Sequence, residues 1–325
     1  MQIQSAVKIF AKRFVKRVLN GYLKHERKLK DIRRYISSEE ANSLIGDMLN
    51  SGKPFMVARF GSTELAAVKH YRKMKLNSSK MRRLGNISME DASSLWPDKI
   101  MRSLENNSGF FPANPYNVGR FAELMIESMR SADLFGSWID GEAYFKEELS
   151  AATICSLPDL EPYCSHNPWS QYLKGKNVLV IHPFAKTIHH QFSQNRECLF
   201  DDPLVLPDFH LKTLTAVQSI AGNRPAEHKD WFSALNAMFT DALDFDADVV
   251  ILGCGAYGFP LAAMLKSAGK QVIHLGGATQ ILFGIKGHRW STHSIISKLF
   301  NEKWTNPSEE ERPKGAENVE NACYW

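Results

Sequence analysis

The clearest pattern of apolar and polar positions in this 325-residue chain lies in residues 248–277. The uninterrupted apolar run Val249–Leu252 predicts a strand buried on both faces, as in a parallel sheet. Glycines at 253, 255 and 258 follow at once, and apolar residues then recur at helical spacing as far as Gly269. A second apolar run, residues 271–275, predicts another strand. The segment therefore predicts a strand, a glycine turn, a helix and a second strand.

Similar patterns elsewhere predict an α/β fold with a mostly parallel, Rossmann-like sheet flanked by helices. Apolar runs predict strands at 54–59 and 176–183, each followed directly by a helical pattern. A capping box at Ser37 begins a further helix. We expect one domain over residues 37–325, preceded by a separate segment, residues 1–36. Helical periodicity also predicts helices near 99–106, 118–132 and 230–243.

The N-terminal segment combines an apolar stripe with strong positive charge. Residues 1–35 contain eleven Lys or Arg against two acidic residues, and apolar side chains recur every three or four residues from Ile3 to Tyr22. A basic amphipathic helix of this kind can lie on an anionic membrane surface. It can equally pack its apolar stripe on the main domain, and both interpretations fit the pattern.

Composition narrows the class of protein. Hydrophobic residues make up 44% of the chain, enough for a large core, and no run of about 20 uncharged apolar residues occurs. The five cysteines are scattered and never spaced C-x-x-C, which argues against a disulfide framework or a zinc site. Without a signal-peptide pattern we expect a cytoplasmic protein, peripheral on the inner face of the membrane if the basic segment binds lipid. No motif indicates nucleic acid.

The glycine turn carries the first candidate chemistry. Glycines at a helix N-terminus let backbone N–H groups approach a phosphate. No acidic residue ends the second strand, where NAD-binding proteins hold the ribose, so NAD is disfavoured. A nucleotide or nucleotide-sugar diphosphate fits the pattern, and so does a tight turn that only packs helix on sheet. The expected nucleotide contacts are Gly253, Gly255, Tyr257, Gly258, Gly276, Gly277, Thr279 and Gln280.

A second candidate site follows the strand at 54–59. Arg59 ends that strand and Glu64 lies in the first turn of the next helix, at the sheet edge where α/β proteins bind ligands. An arginine there can clamp phosphate oxygens, and a carboxylate can bind a divalent cation. The alternative is a capping carboxylate with a structural salt bridge.

Three further groups are weaker candidates. Asp140 and Glu142 stand two residues apart in a predicted turn, where we expect solvated acids rather than a shared metal ion. His182 ends the strand at 176–183 and is a candidate catalytic residue, although most histidines in such positions are hydrogen-bonded locally. Gln191 and Arg196 fall near one face of the following helix and are candidate sugar or phosphate ligands.

These segments together resemble the bacterial glycosyltransferases of the GT-D fold, cytoplasmic enzymes that build surface polysaccharides and glycoproteins. Arg59-Phe-Gly-Ser-Thr-Glu64 is similar to the Arg-Phe-Gly-Asp-x-Glu motif of that family, and Leu252–Gly277 is similar to its glycine turn, helix and short strand. The resemblance implies a nucleotide-sugar donor, a glycan or lipid-linked glycan acceptor, and a divalent cation, Mn²⁺ or Mg²⁺. It also implies catalytic roles for Arg59 and Glu64, metal binding by Glu64, and donor binding by Phe60, Gly61 and Ser62.

The chain departs from the family pattern in two places. Ser62 replaces the first metal-binding carboxylate, and His274-Leu-Gly-Gly277 stands where the family has Asp-x-Gly-His. Asp140 and Glu142 are conjectural replacements for the missing carboxylate. Two other functions use the same residues. One is an S-adenosylmethionine-dependent methyltransferase, which the lack of an acidic residue after the second strand disfavours. The other is a non-catalytic subunit of a polysaccharide assembly complex, which Ser62 favours.

Overall fold

One seven-stranded sheet, parallel throughout, forms the centre of the fold. The computed structural model describes Leu29 and residues 33–82, 96–320 and 322–325. The strands are β1 (Phe55–Ala58), β2 (Leu134–Ser137), β3 (Thr153–Ser156), β4 (Asn177–His182), β5 (His210–Thr215), β6 (Val249–Leu252) and β7 (Gln271–His274). Their order across the sheet is β3-β2-β1-β7-β6-β4-β5. The predicted parallel α/β fold is therefore confirmed, whereas the predicted basic helix, residues 1–36, lies outside the described residues except for Leu29 and residues 33–36.

Helices cover both faces of the sheet. They are α1 (Ser38–Ser51), α2 (Ser62–Arg82), α3 (Asp98–Ser108), α4 (Pro115–Met129), α5 (Ala185–Asn195), α6 (Trp231–Leu243), α7 (Gly258–Ser267), α8 (Thr279–Leu282) and α9 (His288–Ser291). The first layer packs α2, α3, α4, α6 and α7 on one face, and the second layer packs α1, α5, α8 and α9 on the other. Alternate residues of each strand fill the two layers, because successive side chains of a strand point to opposite faces.

Local sequence signals set several of these bounds. The Ser37 hydroxyl accepts a hydrogen bond from Glu40 N (3.2 Å), and Glu40 Oε2 accepts one from Ser37 N (2.7 Å), so the predicted capping box starts α1. Gly52, with φ of 66°, ends that helix. Strand β6 has its predicted bounds, and all four of its residues are buried, which explains its uninterrupted apolar run.

The apolar pattern does not predict β2 and β3. Each strand has only four residues, and β2 contains a glycine, which lowers its strand propensity. Both strands form because the sheet supports them: Leu134 pairs with Val57 of β1, and Gly136 packs so closely on Leu160 that a Cβ would overlap it. Neighbours distant in sequence therefore determine these two strands.

The crossovers create a crevice between β1 and β7. Connections that lead toward β3 run through the first layer, and those that lead toward β5 run through the second, as right-handed crossovers require. The loop after β1 enters the first layer at α2, whereas the loop after the adjacent β7 enters the second layer at α8. Open α/β sheets bind ligands where adjacent loops diverge in this way.

The C-terminal residues dock on the second layer. Trp325 packs edge-on against Phe184, with ring centroids 5.8 Å apart, and its carbonyl accepts a hydrogen bond from His288 N (3.2 Å). Gln280 Nε2 donates to the carbonyl of Tyr324 (3.2 Å). These bonds hold Tyr324 at the carboxyl edge of the sheet.

Candidate functional site

Residues that follow the strands come together at one edge of the sheet. Since all seven strands are parallel, their carboxyl ends share this edge. Arg59 follows β1, Trp138 follows β2, His182 ends β4, Gly253 follows β6 and Gly276 lies just after β7. The structure thus places the arginine segment and the glycine turn on the same side of the molecule.

Arg59 is the cation at the centre of this edge. Its side chain is half-buried, and its guanidinium lies over the Trp138 ring, with Cζ 4.9 Å from the ring centroid. Gly276 packs on it so closely that a Cβ would lie 3.3 Å from Nη1. Within the described residues, Arg59 Nε has no hydrogen-bond partner, and no carboxylate lies within 4.0 Å of the guanidinium. A cation held in a crevice without a paired anion is suited to bind one.

Carboxyl groups and a tyrosine surround Arg59 at longer range. Burial lowers the pKa of Arg59, and Tyr324, Glu64 and Glu161 oppose that change electrostatically. Burial also raises the pKa of Glu161 to about 7, and Arg59 opposes that rise. We call Arg59, Glu64, Trp138, Glu161 and Tyr324 the Arg59 rim. Arg59 provides a site for an anion. Beside it, the carboxylates of Glu64 and Glu161 can accept a proton.

Glu64 is buried in the first turn of α2 and folds back over the start of its own helix. A Cβ at Gly61 would overlap the Glu64 carboxylate, so glycine at position 61 makes room for it. Glu64 therefore lies where the sequence predicted a carboxylate, at the carboxyl end of β1. Ser62, which begins α2, is exposed.

Glu142 is completely buried, which corrects the expectation of a solvated turn acid. Its Oε2 accepts a hydrogen bond from Ser137 Oγ, which also accepts one from the Tyr35 hydroxyl (2.5 Å). Its Oε1 faces the amides of Trp138 (3.4 Å) and Ile139 (3.3 Å). Burial raises the pKa of Glu142 to about 7, although these hydrogen bonds and Arg59 oppose the rise. Glu142 thus braces the loop that carries Trp138.

Replacing Glu142 with Gln should flatten the pH dependence of stability. Because folding raises the pKa of this carboxyl from 4.5 to about 7, its protonated form favours the folded state. The contribution is full below pH 4.5 and is lost as the pH rises through about 7, a change of about 3 kcal/mol. Glu142→Gln should therefore gain stability relative to the wild type as the pH rises.

Urea denaturation from about pH 5 to pH 8 measures this difference as the shift in free energy of unfolding. Glu147→Gln, on the same loop but exposed, is the control and should follow the wild type at every pH. Parallel curves for Glu142→Gln and the wild type would contradict the prediction.

Two of the three glycines in the turn serve the packing of the sheet edge. A Cβ at Gly253 would overlap His182, and a Cβ at Gly258 would overlap the His274 ring. Gly255 differs, because its φ of +57° is left-handed and the nearest atom to its Cβ position, a backbone oxygen, is 4.0 Å away. The packing hypothesis thus accounts for Gly253 and Gly258, and only Gly255 has open space beside it.

Both histidines at this edge are buried and neutral. His182 Nδ1 accepts a hydrogen bond from Phe184 N (2.9 Å), and burial lowers the pKa of His182 to about 3. His274 Nδ1 lies 3.2 Å from the carbonyl oxygen of Leu252, and burial, with a smaller effect of Arg59, lowers its pKa to about 3. Neither ring is therefore a strong base at neutral pH. His182 is thus better suited to packing than to proton transfer.

Several predicted nucleotide contacts have their side chains in the core. Phe60 stacks on Phe259, with centroids 4.4 Å apart and planes at 14°. Tyr257 stacks on Trp231 (4.9 Å, 8°), and its hydroxyl lies 3.0 Å from Ser219 Oγ. The side chains of Phe60 and Tyr257 are therefore not available to a ligand.

The loop after β7 is tied to the C-terminal residues. Thr279 Oγ1 donates to the carbonyl of Leu252 (3.2 Å), and Gln280 is completely buried. A Cβ at Gly277 would lie 2.6 Å from the Tyr324 ring, so Gly277 makes room for Tyr324. Of these predicted contacts, Gly276 and Gly277 are the ones that border the Arg59 rim.

Gln191 and Arg196 are not brought to this edge. Gln191 Nε2 donates to the carbonyls of Gly284 (3.1 Å) and Lys303 (2.9 Å) and so supports the second layer. Arg196 lies just beyond the end of α5, and its Nε is 3.7 Å from Asp208, which precedes β5. Since α5 starts at the carboxyl edge, its last turn points to the opposite edge of the sheet.

A separate cavity of about 700 Å³ opens at the β4–β5 end of the carboxyl edge. Two of its basic side chains are already paired: Lys186 Nζ with Glu310 (2.8 Å) and Arg224 with Glu105 (2.7 Å). Glu311 accepts a hydrogen bond from the amide of Lys186 (2.8 Å) at the start of α5. Two of the four basic side chains that line this cavity thus already have a carboxylate partner in the chain.

Across the described ranges, no three His, Cys, Asp or Glu side chains converge as a metal site. Asp140 is exposed while Glu142 is buried, so this pair does not present two carboxylates to one ion. Glu64 is the carboxylate at the rim that can take part in metal binding, together with substrate oxygens and water.

Three residues of the Arg59 rim are missing from the sequence-based prediction. Trp138 is an aromatic residue just before Asp140 and Glu142, and that combination offered a signal. Glu161 lies in a proline- and serine-rich connection, and Tyr324 lies 66 residues after Gly258, the last glycine of the turn, so no local pattern marks either one.

No family model, curated protein or solved structure matches the chain. Among the described helices, none is long and apolar enough to span a membrane. The fold and the site therefore define a Rossmann-like parallel α/β protein with a candidate ligand site at the carboxyl edge, and its function has to be inferred from that geometry.

Proposed function

We propose that the protein is a glycosyltransferase that moves a sugar from a nucleotide-diphosphate sugar to a glycan or lipid-linked glycan acceptor. Arg59 carries the proposal: a half-buried guanidinium in the crevice between β1 and β7, without a carboxylate within 4.0 Å among the described residues. A diphosphate is an anion whose paired oxygens match the fork of an arginine. The similarity of Arg59–Glu64 to the GT-D motif adds support.

The rim residues suit the steps of such a transfer. The acceptor hydroxyl attacks the anomeric carbon, the bond from that carbon to the diphosphate breaks, and the hydroxyl proton passes to a base. Arg59 would stabilise the negative charge of the departing diphosphate. Glu161, with a pKa of about 7, is a suitable base near neutral pH, and Glu64 is the alternative.

A divalent cation, Mn²⁺ or Mg²⁺, remains part of the proposal through Glu64. Magnesium sites often use one or two carboxylates and complete their shell with water and substrate phosphates. Such a cation would neutralise the diphosphate alongside Arg59. Residues 1–36 would place the enzyme at the inner face of the membrane, near a lipid-linked acceptor.

The proposal is tested by thermal shift with a panel of ligands. UDP-, GDP-, CMP- and dTDP-sugars, S-adenosylmethionine and NAD are each added with and without manganese. One nucleotide-diphosphate sugar should raise the Tm, since a ligand at 100 times its Kd stabilises by about 2.7 kcal/mol. A response to S-adenosylmethionine or NAD alone, or to none of these ligands, would contradict the proposal.

Glu64→Gln should lower sugar transfer strongly while leaving the fold intact. The substitution keeps the shape that fits over Gly61 but removes the charge needed by a base or a metal ligand. We expect kcat to fall by about 100-fold, the scale of a lost general base, and the Tm to change little. Glu39→Gln, an exposed glutamate in the first turn of α1, is the control. Full activity of Glu64→Gln would contradict both the metal-binding and the base role of Glu64 and would leave Glu161 as the candidate base.

A further inference from the structure

Trp138 is an exposed tryptophan in a fixed orientation. It is 46% exposed, whereas Trp169 and Trp231 are completely buried and Trp290 is 6% exposed. Its Nε1 donates a hydrogen bond to the carbonyl of Phe60 (2.9 Å), which ties the ring to the residue after Arg59. A large aromatic ring normally gains free energy by burial, so a rigid ring left open to solvent is suited to a contact with a ligand.

The backbone beneath this ring is also held. The amide of Trp138 faces the buried carboxyl of Glu142 (3.4 Å), whose second oxygen is bonded to Ser137. Two residues further on, the carbonyl of Asp140 accepts a hydrogen bond from Lys69 Nζ (3.3 Å), which links the loop to α2. The ring therefore needs little ordering when a ligand binds, which favours affinity.

The surroundings of the ring match the two sides of a sugar. Arg59 lies against the ring at 4.9 Å and has donors for hydroxyl and phosphate oxygens. Since Arg59 covers one face of the indole, the platform is the other face, whose negative π surface attracts the partly positive C–H groups of a pyranose. The hydroxyls at the edge of that sugar then reach polar groups. Asp140, which is exposed on the same loop, supplies an acceptor for such hydroxyls.

We propose that Trp138 is a stacking platform for the pyranose ring of the donor sugar, positioned beside the diphosphate held by Arg59. This inference rests on the proposed function and adds the part of the site that recognises the sugar. A pyranose of the acceptor glycan has the same chemistry, so the experiment compares the two sources.

The test compares Trp138→Ala, Trp138→Phe and the wild type in calorimetric titrations. The ligands are UDP, GDP and dTDP, their glucose or mannose conjugates, and maltoheptaose as a free oligosaccharide. For the nucleotide that binds, Trp138→Ala should lower the affinity for the sugar conjugate by about tenfold. The affinity for the nucleoside diphosphate should fall by less than about twofold. Trp138→Phe keeps a ring without the bond to Phe60 and should give an intermediate loss.

Tyr116→Ala is the matched control, because Tyr116 is 75% exposed and has Arg120 against its ring (5.7 Å), yet lies on α4 outside the rim. An equal loss of affinity for the nucleoside diphosphate and for its sugar conjugate would overturn the inference in favour of nucleobase stacking. A loss confined to maltoheptaose would overturn it in favour of the acceptor, and unchanged affinities in Trp138→Ala would overturn it outright. A wild type that binds no nucleotide would instead contradict the proposed function.

Discussion

Arg59→Met should abolish most sugar transfer while the protein stays folded. Methionine fills similar space beside Trp138 but cannot carry charge or donate hydrogen bonds. Loss of a group that stabilises developing negative charge costs about 100-fold or more in kcat, because the same bonds are stronger in the transition state. A half-buried cation carries a desolvation cost, and Arg59→Met removes it. Because this gain offsets the packing that is lost, we expect only a small change in Tm.

Steady-state kinetics with the donor identified by thermal shift measure this effect, and Arg59→Lys separates charge from shape. Lysine keeps the charge but loses the planar fork, so an intermediate rate is expected. Arg120→Met removes an arginine that lies 4.1 Å from the Phe232 ring but outside the Arg59 rim, and it should retain full activity. Normal turnover by Arg59→Met would place the chemistry elsewhere, and the cavity at the β4–β5 end would be tested next.

Gly258→Ala should destabilise the fold, and His274→Ala should largely suppress that effect. A Cβ at Gly258 would overlap the His274 ring, which is buried in a central strand and bonded to the carbonyl of Leu252. Forced overpacking of this kind costs roughly 1–3 kcal/mol. Removal of the imidazole makes space for the new methyl group, so the two substitutions should be strongly non-additive.

The free energy of unfolding in urea for the two single variants and the double variant measures this coupling. Gly119→Ala is the control, since this glycine also lies in a helix, α4, but a Cβ there would make only an ordinary contact, 3.8 Å from the Tyr71 ring. Additive effects would contradict the packing of Gly258 on His274. A stable Gly258→Ala variant that no longer binds nucleotide would show that the glycine serves a phosphate instead.

Elements with strong local signals were predictable from the sequence. Strand β6 and the neighbouring glycine turn follow from an apolar run buried on both faces, and α1 follows from its capping box. Strand β2 gives no such signal, because pairing with β1 and β3 supplies the stability that its four residues lack. The parallel α/β fold could thus be predicted, while two of its strands could not.

The candidate site was predictable only in part, because its contacts join distant segments. Arg59 and Glu64 follow one strand and could be assigned to its carboxyl end. The burial of Glu142 depends on Ser137 and Tyr35, and the longer-range electrostatic effect of Arg59 on Glu161 joins residues about a hundred positions apart. Helix periodicity alone placed Arg196 near the site, but the direction of α5 carries it to the opposite edge.

The stack of Phe60 on Phe259 joins the two sequence motifs at the carboxyl edge. Phe60 follows Arg59, and Phe259 follows Gly258, so one pair of rings fixes the spacing between the arginine segment and the glycine helix. Because both rings are buried, a smaller side chain at either position would leave a void beside the other ring and Phe135, whose centroid is 5.4 Å from that of Phe60. We therefore expect related sequences to change positions 60 and 259 together, so that a substitution at one is accompanied by a compensating substitution at the other.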